Sequence, residues 1–122
     1  MTGTFRFRSS INLKNIELIK DFDLGETADF EKDKEINQLF DGAFRKLVEV
    51  RLQNGAALPR HKANEPITVL CLSGTGVFRA GSDLEDTQDM RAGTLITLEG
   101  GVEHEVVADP RLHLIVTKFK DS

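Results

Sequence analysis

Short apolar-alternating runs, separated by turn-forming residues every 8–12 positions, dominate the chain from residue 38 onward. That spacing leaves no room for the long crossover helices a parallel sheet needs, so it predicts an antiparallel sandwich or barrel. Leu39 and Phe40 lead into Asp41-Gly42, a dipeptide suited to a tight hairpin with positive φ at both central residues. From Phe44 to Leu52 the residues alternate, with Val48, Val50 and Leu52 on one side and Glu49 and Arg51 on the other. Asn54-Gly55 closes that strand. Ile67 to Leu72 is almost wholly apolar, which predicts a strand covered on both faces. Gly74-Thr75-Gly76, Gly100-Gly101 and Asp109-Pro110 read as turns. Val77 to Ala80, Gly93 to Leu98, Glu105 to Val107 and the alternating Leu112, Leu114 and Val116 read as strands. Gly81 to Asp89 reads as a polar, acidic tip. The total is about eight short strands.

Residues 1–35 form a charged N-terminal arm belonging to the same domain as the barrel over 36–122. Between Asp21 and Glu35 seven acids face only Lys32 and Lys34, the pattern of a solvated segment. Ile16, Ile19 and Phe22 recur at three-residue spacing, which predicts an amphipathic helical stretch or an irregular arm packed on the body. A chain of 122 residues fits one domain and folds without a staple. The net charge of −4 argues against a nucleic-acid surface. No apolar run approaches a membrane span, and Met1 to Ser10 lack a signal's apolar core, so no membrane partner is expected. The lone cysteine, Cys71, fits a reducing compartment, and a cytoplasmic location is the expectation.

The candidate chemistry lies in His61 and His104, each beside a turn at a strand end. In a sandwich two such points can meet at one cavity. The stretch carrying Gly55, His61 and Gly74, and the stretch carrying Gly93, Gly101 and His104, resemble the two motifs of the cupin superfamily, over residues 55–108. The resemblance implies a single all-β cupin-type double-stranded β-helix, a jelly-roll barrel with an N-terminal arm. It also implies a homodimer. In that family two histidines and a glutamate of the first motif, with the histidine of the second, bind a divalent metal. Here Ala63 stands in place of the second histidine and Ile67 in place of the glutamate, while Glu99 and Ala108 replace a proline and an asparagine. Any divalent-metal site therefore rests on His61 and His104, an incomplete ligand set. Glu65 falls in the connecting turn. Cys71 shares strand parity with Ile67 and can face the same cavity. His113 shares parity with Arg111 and Ile115, pointing away from it.

Three functions follow as expectations. The first is binding or sensing of a small molecule in the barrel cavity, at His61, Ala63, Ile67, Cys71 and His104. The second is a metal-dependent enzyme of the oxygenase or isomerase type using His61 and His104. The third is a scaffold whose barrel serves only dimerisation. No nucleophilic triad and no phosphate loop stands out.

Overall fold

The computed structural model describes residues 14–19, 24 and 32–120. Among these described residues seven antiparallel strands follow in order: β1 (Lys34–Asp41), β2 (Arg45–Leu52), β3 (Ala57–Lys62), β4 (Ile67–Ala80), β5 (Asp86–Met90), β6 (Leu95–Leu98) and β7 (Glu103–Phe119). They hydrogen-bond along the path β1-β2-β7-β4-β5, with β3 added on β7 and β6 on β4. The sheet does not close. It does divide into two leaves, because β4 and β7 are long enough to serve both. β2 pairs with the 112–119 part of β7 and β6 with the 67–70 part of β4. β3 pairs with the 103–107 part of β7 and β5 with the 76–80 part of β4. Inward residues of the two leaves meet in one core, including Val50, Leu52, Val69 and Leu114 from the first and Phe78 and Val106 from the second. Burying each such side chain contributes about 1.5–3 kcal/mol.

The change of leaf explains where the sequence reading went astray. Gly74-Thr75-Gly76 is not a turn. It lies inside β4, where the register with β7 slips twice, between Cys71 and Ser73 and again between Gly74 and Gly76. Glycine serves a bulge as readily as a turn. Asp109-Pro110 lies opposite, inside β7, in the stretch the ladder skips between Ala108 and Leu112. Pro110 has no N–H to donate, so it sits where none is needed. The Thr75 hydroxyl donates to the Asp109 carbonyl and ties the two bends together.

Other expectations need smaller revisions. β5 forms largely within the expected acidic tip, and neither β3 nor β5 carries an apolar run that would announce a strand. The Asp41-Gly42 hairpin exists, with the Gly42 N–H donating to the Arg45 carbonyl at 2.9 Å, but neither residue has a positive φ. Ile67, Val69 and Cys71 are buried, whereas Thr68, Leu70 and Leu72 are only half-buried. Residues 14–19 carry no helix, and Ile16 is exposed; Phe22 and most of the acidic segment lie outside the described residues. No helix among those described is long and apolar enough to cross a membrane.

The largest departure concerns β2. Val48, Val50 and Leu52 face the core as expected, but Glu49 and Arg51, on the opposite side, are also buried, at 0% and 1% exposure. Glu49 is the hub of a polar cluster. Its Oε2 accepts from Arg51 Nε at 2.8 Å and from His113 Nε2 at 2.7 Å, and its Oε1 accepts from Asn37 Nδ2 at 2.9 Å. The cluster links β1, β2 and β7 across the outer side of the first leaf.

Candidate functional site

His61 and His104 meet because of a bulge. Ala57 and Leu58 of β3 pair with Val107 and Val106 of β7, after which the register slips and His61 comes directly opposite His104. Side chains alternate along a strand, so Leu58 facing inward would send His61 outward in a regular ladder. The extra residue around Pro59 and Arg60 turns His61 back to the inner side. The ring centroids then lie 4.3 Å apart, inclined at 61°. The Phe78 ring stacks on His104, nearly parallel, with centroids 5.7 Å apart.

The backbone sets the protonation of both rings. His61 Nδ1 donates to the Pro59 carbonyl at 2.7 Å, and His104 Nδ1 donates to the Val102 carbonyl at 3.0 Å. A carbonyl only accepts, so each Nδ1 carries the hydrogen and each neutral ring keeps Nε2 as an acceptor. Burial lowers the pKa of His104, and the charges of His61 and Lys118 lower it further against the opposing effect of the Val102 carbonyl. The unfolded chain thus takes up this proton first, at the ordinary value of 6.5. Stability contributed by neutral His104 is therefore present above that value and is lost as pH falls below it toward the lower folded value. Urea melts of wild type and His104→Gln between pH 7.5 and pH 5 check this. The wild type is expected to lose more stability over that interval, and parallel curves would refute it.

The pair lines a cavity of about 140 Å³ between the leaves. Its walls are mainly apolar: Val50, Leu114 and Val116 from the first leaf, Leu58, Phe78 and Val106 from the second. Ala63 and Ile67 also line it. Ile36 of β1 and His61 of β3 also line it, and both are exposed. Cys71 does not join them. Its parity matches that of Ile67 and Val69, but it stands further along β4 at the first register slip, buried in the core with its thiol donating to the Ser73 carbonyl at 3.4 Å. Burial pushes that thiol's pKa up, which keeps it protonated and inert. His113 faces Glu49 on the outer side of the leaf. Lys118 lines the cavity and went unnoticed in the sequence, where it reads as an ordinary residue of the final strand.

This donor set does not fit the divalent metal that the motif resemblance implies. Among the described residues no group of three or more His, Cys, Asp or Glu side chains lies close enough together to hold an ion. Ala63 and Ile67 face the cavity where donors are required, and the ammonium-bearing Lys118 shares it. Two imidazoles beside a cation make a poor cage for a dication.

No family model and no curated protein matches the sequence. Solved structures do match in shape. An RmlC-like cupin protein from Desulfovibrio desulfuricans superposes with a TM-score of 0.66 at 18% identity, over 88% of this chain and 97% of that one. The chain has the cupin fold. A conserved protein of unknown function from Streptococcus pyogenes shares it, with a TM-score of 0.72 at 21% identity over 93% of this chain and 99% of that one. So does the polyketide cyclase RemF from Streptomyces resistomycificus, with a TM-score of 0.64 at 19% identity over 74% of this chain and 67% of that one. Proteins as different as these share the shape, so the fold alone does not select a function.

Proposed function

We propose that this cupin binds a small, largely apolar molecule bearing a hydrogen-bond donor, held between the leaves with its donor on the histidine pair. The observation that carries the reading is the combination of an apolar cavity with two rings whose Nδ1 atoms are already committed to backbone carbonyls. Only Nε2 of each ring remains for a ligand, and a neutral Nε2 accepts. A pocket with apolar walls and a few convergent polar groups is the usual form of a small-molecule site. Its size suits one ring, since an apolar protein cavity of about 150 Å³ accommodates benzene. The same reading takes the protein as a cytoplasmic homodimer. Among the described residues β1 pairs only with β2, which leaves a strand edge beside the exposed Ile36. Sedimentation of the purified chain tests the dimer.

Calorimetric titration of chelator-treated protein with phenol and with toluene tests the site. The two probes differ by a hydroxyl donor. One neutral hydrogen bond is worth about 0.5–1.5 kcal/mol, so phenol is expected to bind roughly 2- to 10-fold more tightly. The double variant His61→Leu, His104→Leu is expected to erase the preference. Equal affinity of the wild type for both probes, or a preference that survives the double variant, would remove the histidines from the site.

A further inference from the structure

We infer that Phe78 sets the length of molecule the cavity accepts, by walling it off from a second, open groove; this rests on the binding reading above. β5 and β6 both pair with β4, but with successive halves of it, and not with each other. A groove of about 470 Å³ lies where the edges of the two leaves part. Ile96 and Leu98 line it from β6, and Asp86, Thr87 and Gln88 from β5, with Glu85 alongside. It lies on the β4 flank of the sheet, whereas the exposed cavity residues Ile36 and His61 come from β1 and β3 on the β7 flank.

Among the described residues Phe78 is the one that lines both the inner cavity and this groove. Its side chain is buried, at 2% exposure, and its ring is held flat beside His104. The next inward position on β4 is Ala80, which lines the groove and is too small to close a passage by itself. Across the ladder, Phe78 stands opposite Val106 and Ala80 opposite His104. The Phe78 ring thus stands between an apolar compartment that holds the two imidazoles and a more polar one lined by Glu85 and Asp86. With the ring in place the ligand is compact, a single ring or its equivalent. A short side chain at this position joins the compartments and admits a longer molecule, its far end among the polar groups of β5.

The test titrates phenol and 4-phenylphenol into wild type, Phe78→Ala and Phe78→Leu. Wild type is expected to prefer phenol by about tenfold or more, since a wall rejects the added ring. Phe78→Ala is expected to reverse that order. Should Phe78→Ala fail to fold, Phe78→Leu serves, with a smaller shift in the same direction. Wild type binding both probes alike overturns the inference, as does a folded variant that gains no affinity for 4-phenylphenol. If phenol does not bind wild type, the binding reading fails on its own. The wall is then judged from the crystal structure of Phe78→Leu: one continuous cavity supports it, and two separate ones overturn it.

Discussion

Replacing Glu49 by alanine is expected to lower the stability of the folded protein by about 3–5 kcal/mol, the usual cost of removing one partner from a buried ion pair. For a domain of this size that corresponds to a fall in Tm of roughly 10 °C or more. The carboxylate is completely buried and accepts hydrogen bonds from Arg51, His113 and Asn37. Its removal takes one buried counter-charge from an Arg51 guanidinium that is itself 1% exposed. A combined variant, Glu49→Leu, Arg51→Met, His113→Leu, is expected to recover most of the loss, because apolar groups of similar size need no counter-charge. Chemical denaturation of the two variants measures both effects. A loss below about 1 kcal/mol for Glu49→Ala, the range of an exposed pair, would show that water reaches the cluster. The same carboxylate shapes the acid limb. Burial by itself raises its pKa, but the hydrogen bonds from His113 and Asn37, with the charge and N–H of Arg51, outweigh burial and hold it below the ordinary 4.5. Its contribution is therefore present above that value and lost as pH falls through the lower folded value. The stability gap between wild type and Glu49→Gln is expected to narrow below about pH 4.5.

Gly74→Ala is expected to cost at least about 3 kcal/mol, more than a left-handed backbone alone would explain. Gly74 has a φ of 88°, and a Cβ there would lie 2.1 Å from the Arg111 carbonyl oxygen and 3.0 Å from the Leu112 Cα. Those atoms are backbone at the bend of β7, so relief requires moving the junction between the leaves. Gly93 supplies the control. It has a φ of 93°, but a Cβ there meets nothing within 4 Å. Gly93→Ala is expected to cost only about 1–2 kcal/mol, the strain of the conformation itself. Equal losses in urea melts of the two variants would mean that the bends tolerate displacement.

The all-β architecture was legible because alternation and turn chemistry are local. Val48, Val50 and Leu52 declare one face of β2 by themselves, and Asn54-Gly55 ends it with positive φ at both residues. The facing histidines were legible from their places beside turns at strand ends and from the motif resemblance, but nothing local announces the bulge at Pro59 and Arg60 that turns His61 inward. Gly74 and Pro110 misled because the residues that end strands also bend them. Which they do depends on a partner strand more than thirty positions away. Glu49 was hidden for a similar reason. A charged residue alternating with valines reads as solvent-facing until His113, distant in sequence, is seen on the same side of the sheet. Phe78 read as one more apolar strand residue, and its place between two cavities is a property of the closed molecule.

β4 and β7 run unbroken through both leaves, and this separates two inheritances that most folds entangle. The long strands, their paired bends and the Glu49 cluster specify the shape, and none of them depends on what fills the interior. Interior residues can change while the frame persists, as the shared shape at 21% identity illustrates. New chemistry could arise the same way, by refitting the lining one residue at a time without renegotiating the architecture.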